Sequence, residues 1–400
     1  MRPGIVVQHA RLPDRSSDLV RSDIAAVIGF IERRRWPRDA TAGDMVELVL
    51  RRDADLWNHP DRSLFDPASR RAVRSFFQNG GDTLHLFGVC IRAEDDLKTP
   101  AACLGVLAPL FDRLRAEDEI ALLLVPAAAY MGVNWNPRKN EIRADAEVLY
   151  DQLLAHCREM TNRFLIIDAP RGLHGPPLLQ WLHGFRRRHT ESRSYGAIYY
   201  PWLMDGDEVF PPSGAVAGTY ARTELDHAPY GVGWPPANTP VRGVTHTEAD
   251  LTWDEAGALA EQALNPLVVQ PGRGVIAFGA RTLADHDVFC HVNARRVVNM
   301  VTEQLRRDSE WAVFETNNPH LWDVLERDVL FRLGEFAGAG MLSGSVAGDD
   351  YYAQCDAETN VPALRDSGQV NVRIGMRPVG TVEHVLVDLR IGDDSTAGGI

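Results

Sequence analysis

The sequence predicts an α/β layer fold with a largely parallel sheet, and three observations carry that reading. Apolar runs of buried-strand length occupy 25–30, 84–91, 120–127, 163–170 and 195–203. Helical patterns at 66–77, 97–114 and 144–160 separate several of them, which is the order that crossover helices impose on parallel strands. Finally, 400 residues with 45% hydrophobic and 24% charged side chains suffice for sizeable cores and for two or three domains.

Taken in order, the elements differ at the two ends. Ile5, Val6 and Val7 form a short β-branched run, and the polar stretch RLPDRSSDLVRSD after it cannot build a core. That beginning reads as an extended arm. After the last of the five apolar runs, 211–247 is rich in Pro, Gly and Thr and reads as an ordered, contact-making surface segment. The stretch PGRGVIAFGARTL, 271–283, resembles a phosphate loop only superficially. A dinucleotide fingerprint needs a helix straight after its glycines, whereas here the run VIAF follows, so the glycines make a tight turn into a strand and Gly279 permits close backbone approach.

Two amphipathic helices come next. Ala294, Val297, Val298, Val301 and Leu305 form one apolar stripe, with Arg295, Asn299, Glu303 and Arg306 on the opposite face. In the second helix Asn318 caps, Pro319 suits the first turn, and Leu321, Leu325, Val329, Leu333 and Phe336 are the buried side, with Gly338 and Gly340 stopping it. The run 382–391 alternates like a strand and precedes the weakly patterned GDDSTAGGI, so Val385, Leu386, Val387 and Leu389 suggest a second arm.

A formal net charge of −13 opposes broad attraction to nucleic acid or anionic membranes, and the arginine clusters at 33–35, 186–188 and 306–307 read as solvated faces or protein contacts. No signal-peptide core opens the chain, and the longest apolar stretch, 120–133, contains Pro126 and is too short to span a bilayer. Synthesis in the cytoplasm and no membrane insertion are therefore expected. Five scattered cysteines without a Cys-x-x-Cys pair indicate neither zinc nor a disulfide framework.

Catalytic readings are weak. Asp168, His174 and Ser213 occur in the order aspartate, histidine, serine of a subtilisin-type hydrolase, but six residues between the first two is too short for groups on different elements, and no nucleophile motif surrounds Ser213. Asp285, His286, Asp287, Cys290 and His291 are the densest set of metal-ligand types, yet the histidines are five apart, off the i, i+4 spacing of a helical site. No catalytic residue, cofactor or metal is expected. A hydrolase using the α/β domain, and a nucleotide- or nucleic-acid-binding module using the basic clusters, stay as the competing readings.

Read in order, FFQNGG, SYGAIYYPWL, PPSGAVAGTYARTE, GVGWPPAN, LNPL, PGRGVIAFGARTL, HVNARRVV, WAVFETNNPHLW and YYAQCDAETN resemble contractile tail sheath proteins of phage tails, R-type bacteriocins and extracellular contractile injection systems. The series covers about the whole chain. It implies a subunit with an outer α/β domain that is subtilisin-like in shape and not in activity, a smaller α+β inner domain, and extended N- and C-terminal β arms. The expected division is an N-terminal linking arm at 1–18, the outer domain at 19–270, the inner domain at 271–381, opened by PGRGVIAFGARTL, and a C-terminal linking arm at 382–400. The resemblance further implies stacked hexameric rings around an inner tube that contract to drive the tube through a target envelope. The arms Ile5, Val6, Val7 and Val385, Leu386, Val387, Leu389 would add strands to neighbouring subunits. Implied partners are other copies of the chain, the tube protein, a second sheath paralogue, and baseplate and terminator proteins, in a particle that can be released from the cell. Arg295, Arg296, Asn299 and Arg306 are the candidate tube-facing residues, the alternative being ion pairs within the subunit or between sheath subunits.

Overall fold

A computed structural model describes residues 19–36, 40–136, 141–285, 288–379 and, as backbone, 385–391. The chain runs through β1 (Ala25–Glu32), β2 (Met45–Leu50), α1 (Asp53–Trp57), α2 (Pro67–Gln78), β3 (Leu84–Ile91), α3 (Pro100–Arg115) and β4 (Leu122–Leu124). A hairpin of β5 (Val133–Asn136) and β6 (Glu141–Ala144) precedes α4 (Glu147–Met160), β7 (Phe164–Asp168), α5 (Gly175–Arg188) and β8 (Gly196–Tyr200). Then come β9 (Leu203–Asp205), β10 (Glu208–Phe210), α6 (Ser213–Asp226), β11 (Thr239–Pro240), β12 (His246–Thr247), α7 (Trp253–Glu261), β13 (Leu264–Gln270) and β14 (Gly274–Ala277). Last are α8 (Val292–Asp308), α9 (Pro319–Gly338), β15 (Tyr351–Gln354), α10 (Pro362–Asp366), β16 (Val370–Met376) and β17 (Val385–Ile391).

The expected parallel sheet is there. Its nine strands lie in the order β11-β14-β13-β8-β7-β4-β1-β3-β2, with the stretch from β13 to β3 parallel throughout and the edges antiparallel. Period-2 alternation sends successive side chains to opposite layers. In β7, Leu165 and Ile167 join the core under α3, α4 and α5 with Phe111, Tyr150 and Trp181, while Phe164 and Ile166 join the core under α2 and α6 with Phe76 and Tyr220. Both faces being covered explains why these strands read as unbroken apolar runs.

One expectation is corrected by α6. The Pro/Gly/Thr-rich stretch is not all surface: from Ser213 to Thr223 every residue of this helix is buried. Its small residues let it lie against α2. A Cβ on Gly214 would sit 2.5 Å from the Ala72 carbonyl oxygen, and one on Gly218 would sit 2.4 Å from that of Phe76. Composition that resembles a loop is here what close helix packing needs.

A second correction concerns PGRGVIAFGARTL. It makes a tight turn, with Gly272 and Gly274 both at φ +77°, but the strand it feeds is β14, which turns back on β13 and completes the large sheet. It therefore does not open the second unit. Gly279 is needed as expected, since a Cβ there would stand 2.9 Å from Asn265 Oδ1.

The second unit forms around α8 and α9. Val297, Val301 and Leu305 of α8 pack with Leu325, Leu333 and Phe336 of α9 and with Val372 and Ile374 of β16, and the earlier residues Val20 and Val232 belong to the same core. Asn318 caps α9 by accepting the Leu321 N–H at 3.0 Å, Pro319 stands in the first turn, and the helix runs through Gly338 before Gly340 turns at φ +78°. Its sheet has the order β15-β16-β17, antiparallel throughout.

Candidate functional site

The polar face of α8 meets the large-sheet unit along a seam, and Arg295, Arg296 and Glu303 are buried there. Helical periodicity puts Arg295, Asn299 and Glu303 on one face and the apolar stripe on the other. Because α9 and β16 cover the stripe, the polar face is what remains to bind the other unit. Arg296 donates to the Ser22 carbonyl at 2.7 Å, pairs with Glu224 of α6, and lies 4.9 Å over the Tyr220 ring. Arg295 donates to Asn299 Oδ1 at 2.9 Å and stacks over Phe289 and Tyr195 at 4.0 and 4.3 Å. Asn299 donates in turn to the Arg163 carbonyl at 3.0 Å.

This arrangement corrects the tube-facing assignment for three of the four residues. Arg295, Arg296 and Asn299 are only 7%, 3% and 4% exposed, so they hold the two units together and present no outer surface. The fourth, Arg306, has a half-exposed side chain and bridges Asp118, Glu303 and Glu310 at 2.9, 2.8 and 3.1 Å. Periodicity showed which residues share a face; only the fold shows that the face is covered. Burial pushes the Glu224 carboxyl above the usual range against the opposing pull of Arg296, so the pair is held by desolvated geometry and not by exposure to solvent.

The hydrolase residues come close in one pair only. Asp168 ends β7 and accepts the Ser213 N–H at 2.7 Å, serving as a remote cap on the first turn of α6. His174 instead pairs through Nδ1 with the Tyr200 hydroxyl at 2.7 Å, and among the described residues it bonds neither Asp168 nor Ser213. Ser213 and Asp168 are 0% and 1% exposed, out of reach of any substrate. Burial pushes the Asp168 carboxyl up to about 7, opposed by its Ser213 hydrogen bonds.

The remaining candidates are tied up locally. Asp285 pairs with Arg186 and Arg193, His291 precedes α8 and pairs through its backbone with Arg281, and His286 and Asp287 lie outside the described residues. Among the described residues no group of three ligand-type side chains is placed to hold a metal, and no helix is long and apolar enough to cross a membrane. Ile5, Val6 and Val7 lie outside the described residues. The residues Val385, Leu386, Val387 and Leu389 fall in β17, whose seven positions pair with β16 of the same chain.

No family model matches the chain. Among curated proteins it is similar to the tail sheath protein of Vibrio phage KVP40, 21% identical over 193 residues, and to that of Enterobacteria phage T4, 21% identical over 210 residues. These matches take in 47% and 49% of this chain and only 27% and 30% of the relatives' own length. Solved structures match end to end. The anti-feeding prophage helical sheath in its contracted state covers 96% of this chain and 98% of its own, with 21% identity and a TM-score of 0.68. A chain of the PVC sheath complex of an extracellular contractile injection system, also contracted, covers 97% and 96% with the same identity and score. A sheath tail protein from Desulfitobacterium hafniense covers 97% and 100% at 10% identity and a TM-score of 0.60. The chain thus has the fold of these contractile sheath proteins over nearly its whole length, and over about half of it is similar in sequence to phage tail sheath proteins.

Proposed function

We propose that the chain is the structural subunit of a contractile sheath, assembling as stacked hexameric rings around an inner tube and contracting to drive that tube through a target envelope. The observation that carries this reading is the two-way coverage by the contracted anti-feeding prophage sheath, which leaves almost no part of either chain unmatched. A structural role also suits a chain whose hydrolase-like Asp168 and Ser213 are sealed inside it.

In this reading the large-sheet unit is the outer, subtilisin-shaped but inactive domain, and the α8–α9 unit is the inner one. Head-to-tail contacts between identical subunits generate rings or helices according to whether the rotation closes. The arms Ile5–Val7 and Val385–Leu389 would link subunits by strand addition, which satisfies sheet edges that are otherwise aggregation hazards. Strand β17, paired here with its own β16, would exchange that partner for a neighbour's on assembly. The tube protein, a second sheath paralogue, and baseplate and terminator proteins would be further partners, in a particle assembled in the cytoplasm and able to act outside the cell.

Electron microscopy of the purified chain, alone and with its tube protein, tests the reading. Ringed cylinders or helical tubes are expected. Compact monomers under every condition, with or without tube, would rule it out.

A further inference from the structure

The turn at 312–315 holds a strained and fully exposed aromatic residue on a hydrogen-bonded backbone. Glu315 N–H donates to the Ala312 carbonyl at 3.2 Å, and Val313, at φ −66° and ψ 129°, is followed by Phe314 at φ +73°. Those are the angles of a type II turn, whose third position asks for glycine or asparagine. A bulky side chain held there is strained. Among the described residues no side chain covers the ring: Phe314 is fully exposed at 103% and its neighbour Val313 is 45% exposed.

The turn is also held in place from both sides. Val313 N–H donates to the Glu310 carbonyl at 3.2 Å, Asn317 donates to the Gln369 carbonyl at 3.1 Å, and Trp322 Nε1 donates to Asn317 Oδ1 at 2.9 Å. With the backbone of the turn fixed, covering the ring costs only the ordering of two side-chain torsions, which is how aromatic binding anchors work.

Charge selects what covers it. Phe314 is followed in the chain by the exposed carboxylate Glu315, while the exposed Glu310 four residues earlier pairs with Arg306 at 3.1 Å. In a chain of net charge −13, residues 1–12 carry Arg2 and Arg11 and no acid, around the apolar Ile5, Val6 and Val7, whereas 392–400 carries Asp393 and Asp394 and no base. The first segment complements the turn and the last repels it. We propose that Phe314 is a docking knob for the N-terminal segment, residues 1–12, of a second copy of this chain, with Ile5 and Val7 against the ring and Arg2 and Arg11 toward Glu315. The identity of the donor as a second copy rests on the sheath reading, in which arms cross between subunits.

Photocrosslinking tests it directly. With p-benzoylphenylalanine in place of Phe314 in the full chain, irradiated assemblies should give a dimer on a denaturing gel, with the crosslink mapping to residues 1–12. A crosslink inside one chain, to a tube protein or elsewhere on the sheath overturns the proposal. Phe314→Asn, which tolerates the left-handed backbone, should leave the melting temperature of unassembled subunit unchanged or slightly higher while long polymers fall about tenfold, and Phe314→Trp should keep them. Earlier melting of Phe314→Asn, or undiminished assembly, counts against the knob. A labelled peptide of residues 1–12, titrated with full-length chain, separates the two readings. Peptide binding that weakens about tenfold in Phe314→Asn without polymers in any variant would sink the sheath and keep the contact. Normal polymers with peptide binding indifferent to position 314 would sink the contact alone.

Discussion

Asp168 Oδ1 accepts the backbone N–H of Ser213 at 2.7 Å, so a carboxylate at the end of β7 closes the first turn of a helix 45 residues further along the chain. Two residues that in sequence suggest a catalytic pair are thereby a capping contact in the sealed centre of the molecule.

The first prediction follows from that burial. The Asp168 carboxyl is pushed up to about 7 from an ordinary 3.8, so the folded state holds its proton more tightly than the unfolded chain does. Its contribution to stability is complete below the unfolded value and is lost as pH rises through about 7, on the order of 4 kcal/mol at most. Asp168→Asn keeps an oxygen acceptor for Ser213 without the charge. It should match the parent protein near pH 4 and be the more stable at pH 8, as read by urea unfolding; a variant less stable at both values contradicts the account.

Arg296 and Glu224 supply the second. Removing either partner strands a buried charge, so Arg296→Leu or Glu224→Leu alone should destabilise by roughly 3–5 kcal/mol, and the double variant by much less than the sum. The same reasoning predicts that Arg295→Glu with Arg296→Glu damages the subunit itself. A denaturant double-mutant cycle measures this, and additive losses would show that the two side chains do not act as a pair.

The third concerns the α2–α6 contact. Gly214→Ala places a methyl 2.5 Å from Ala72 backbone atoms, which the neighbouring helix has to yield to, at a cost of about 1–3 kcal/mol or more. Gly105→Ala, in open space on α3, should cost nothing and gain helix propensity. Thermal melts that rank these two variants the other way would refute the close packing.

The fourth separates the two ends. Deleting residues 1–12 should leave subunit melting unchanged while long assemblies are lost. Deleting 383–400 removes the whole β16–β17 ladder, so it should lower stability as well and expose β16 as an unpaired edge. Light scattering and calorimetry on both truncations decide the matter: normal polymers from the first, or an unaffected melting curve from the second, would contradict it.

The parallel sheet is legible in the sequence, because strands covered on both faces are written as unbroken apolar runs such as LHLFGVCI. Helices α8 and α9 are legible as well, since a stripe of Val297, Val301 and Leu305 marks one face and the Asn318–Pro319 pair marks a helix start. The nine ordered motifs of the sequence carry the resemblance to sheath proteins. The partner of each surface is set by the folded chain alone. Periodicity groups Arg295 with Asn299, but cannot show that Tyr195 and Phe289 cover that arginine. The small residues of α6 look like loop composition until Ala72 and Phe76 are brought against them, and the strand after PGRG finds β13 only because Gly272 and Gly274 reverse the chain. The strain at Phe314 is likewise invisible in the letters WAVFET, because a backbone angle is fixed by hydrogen bonds at both ends of the turn and not by the residue that has to adopt it.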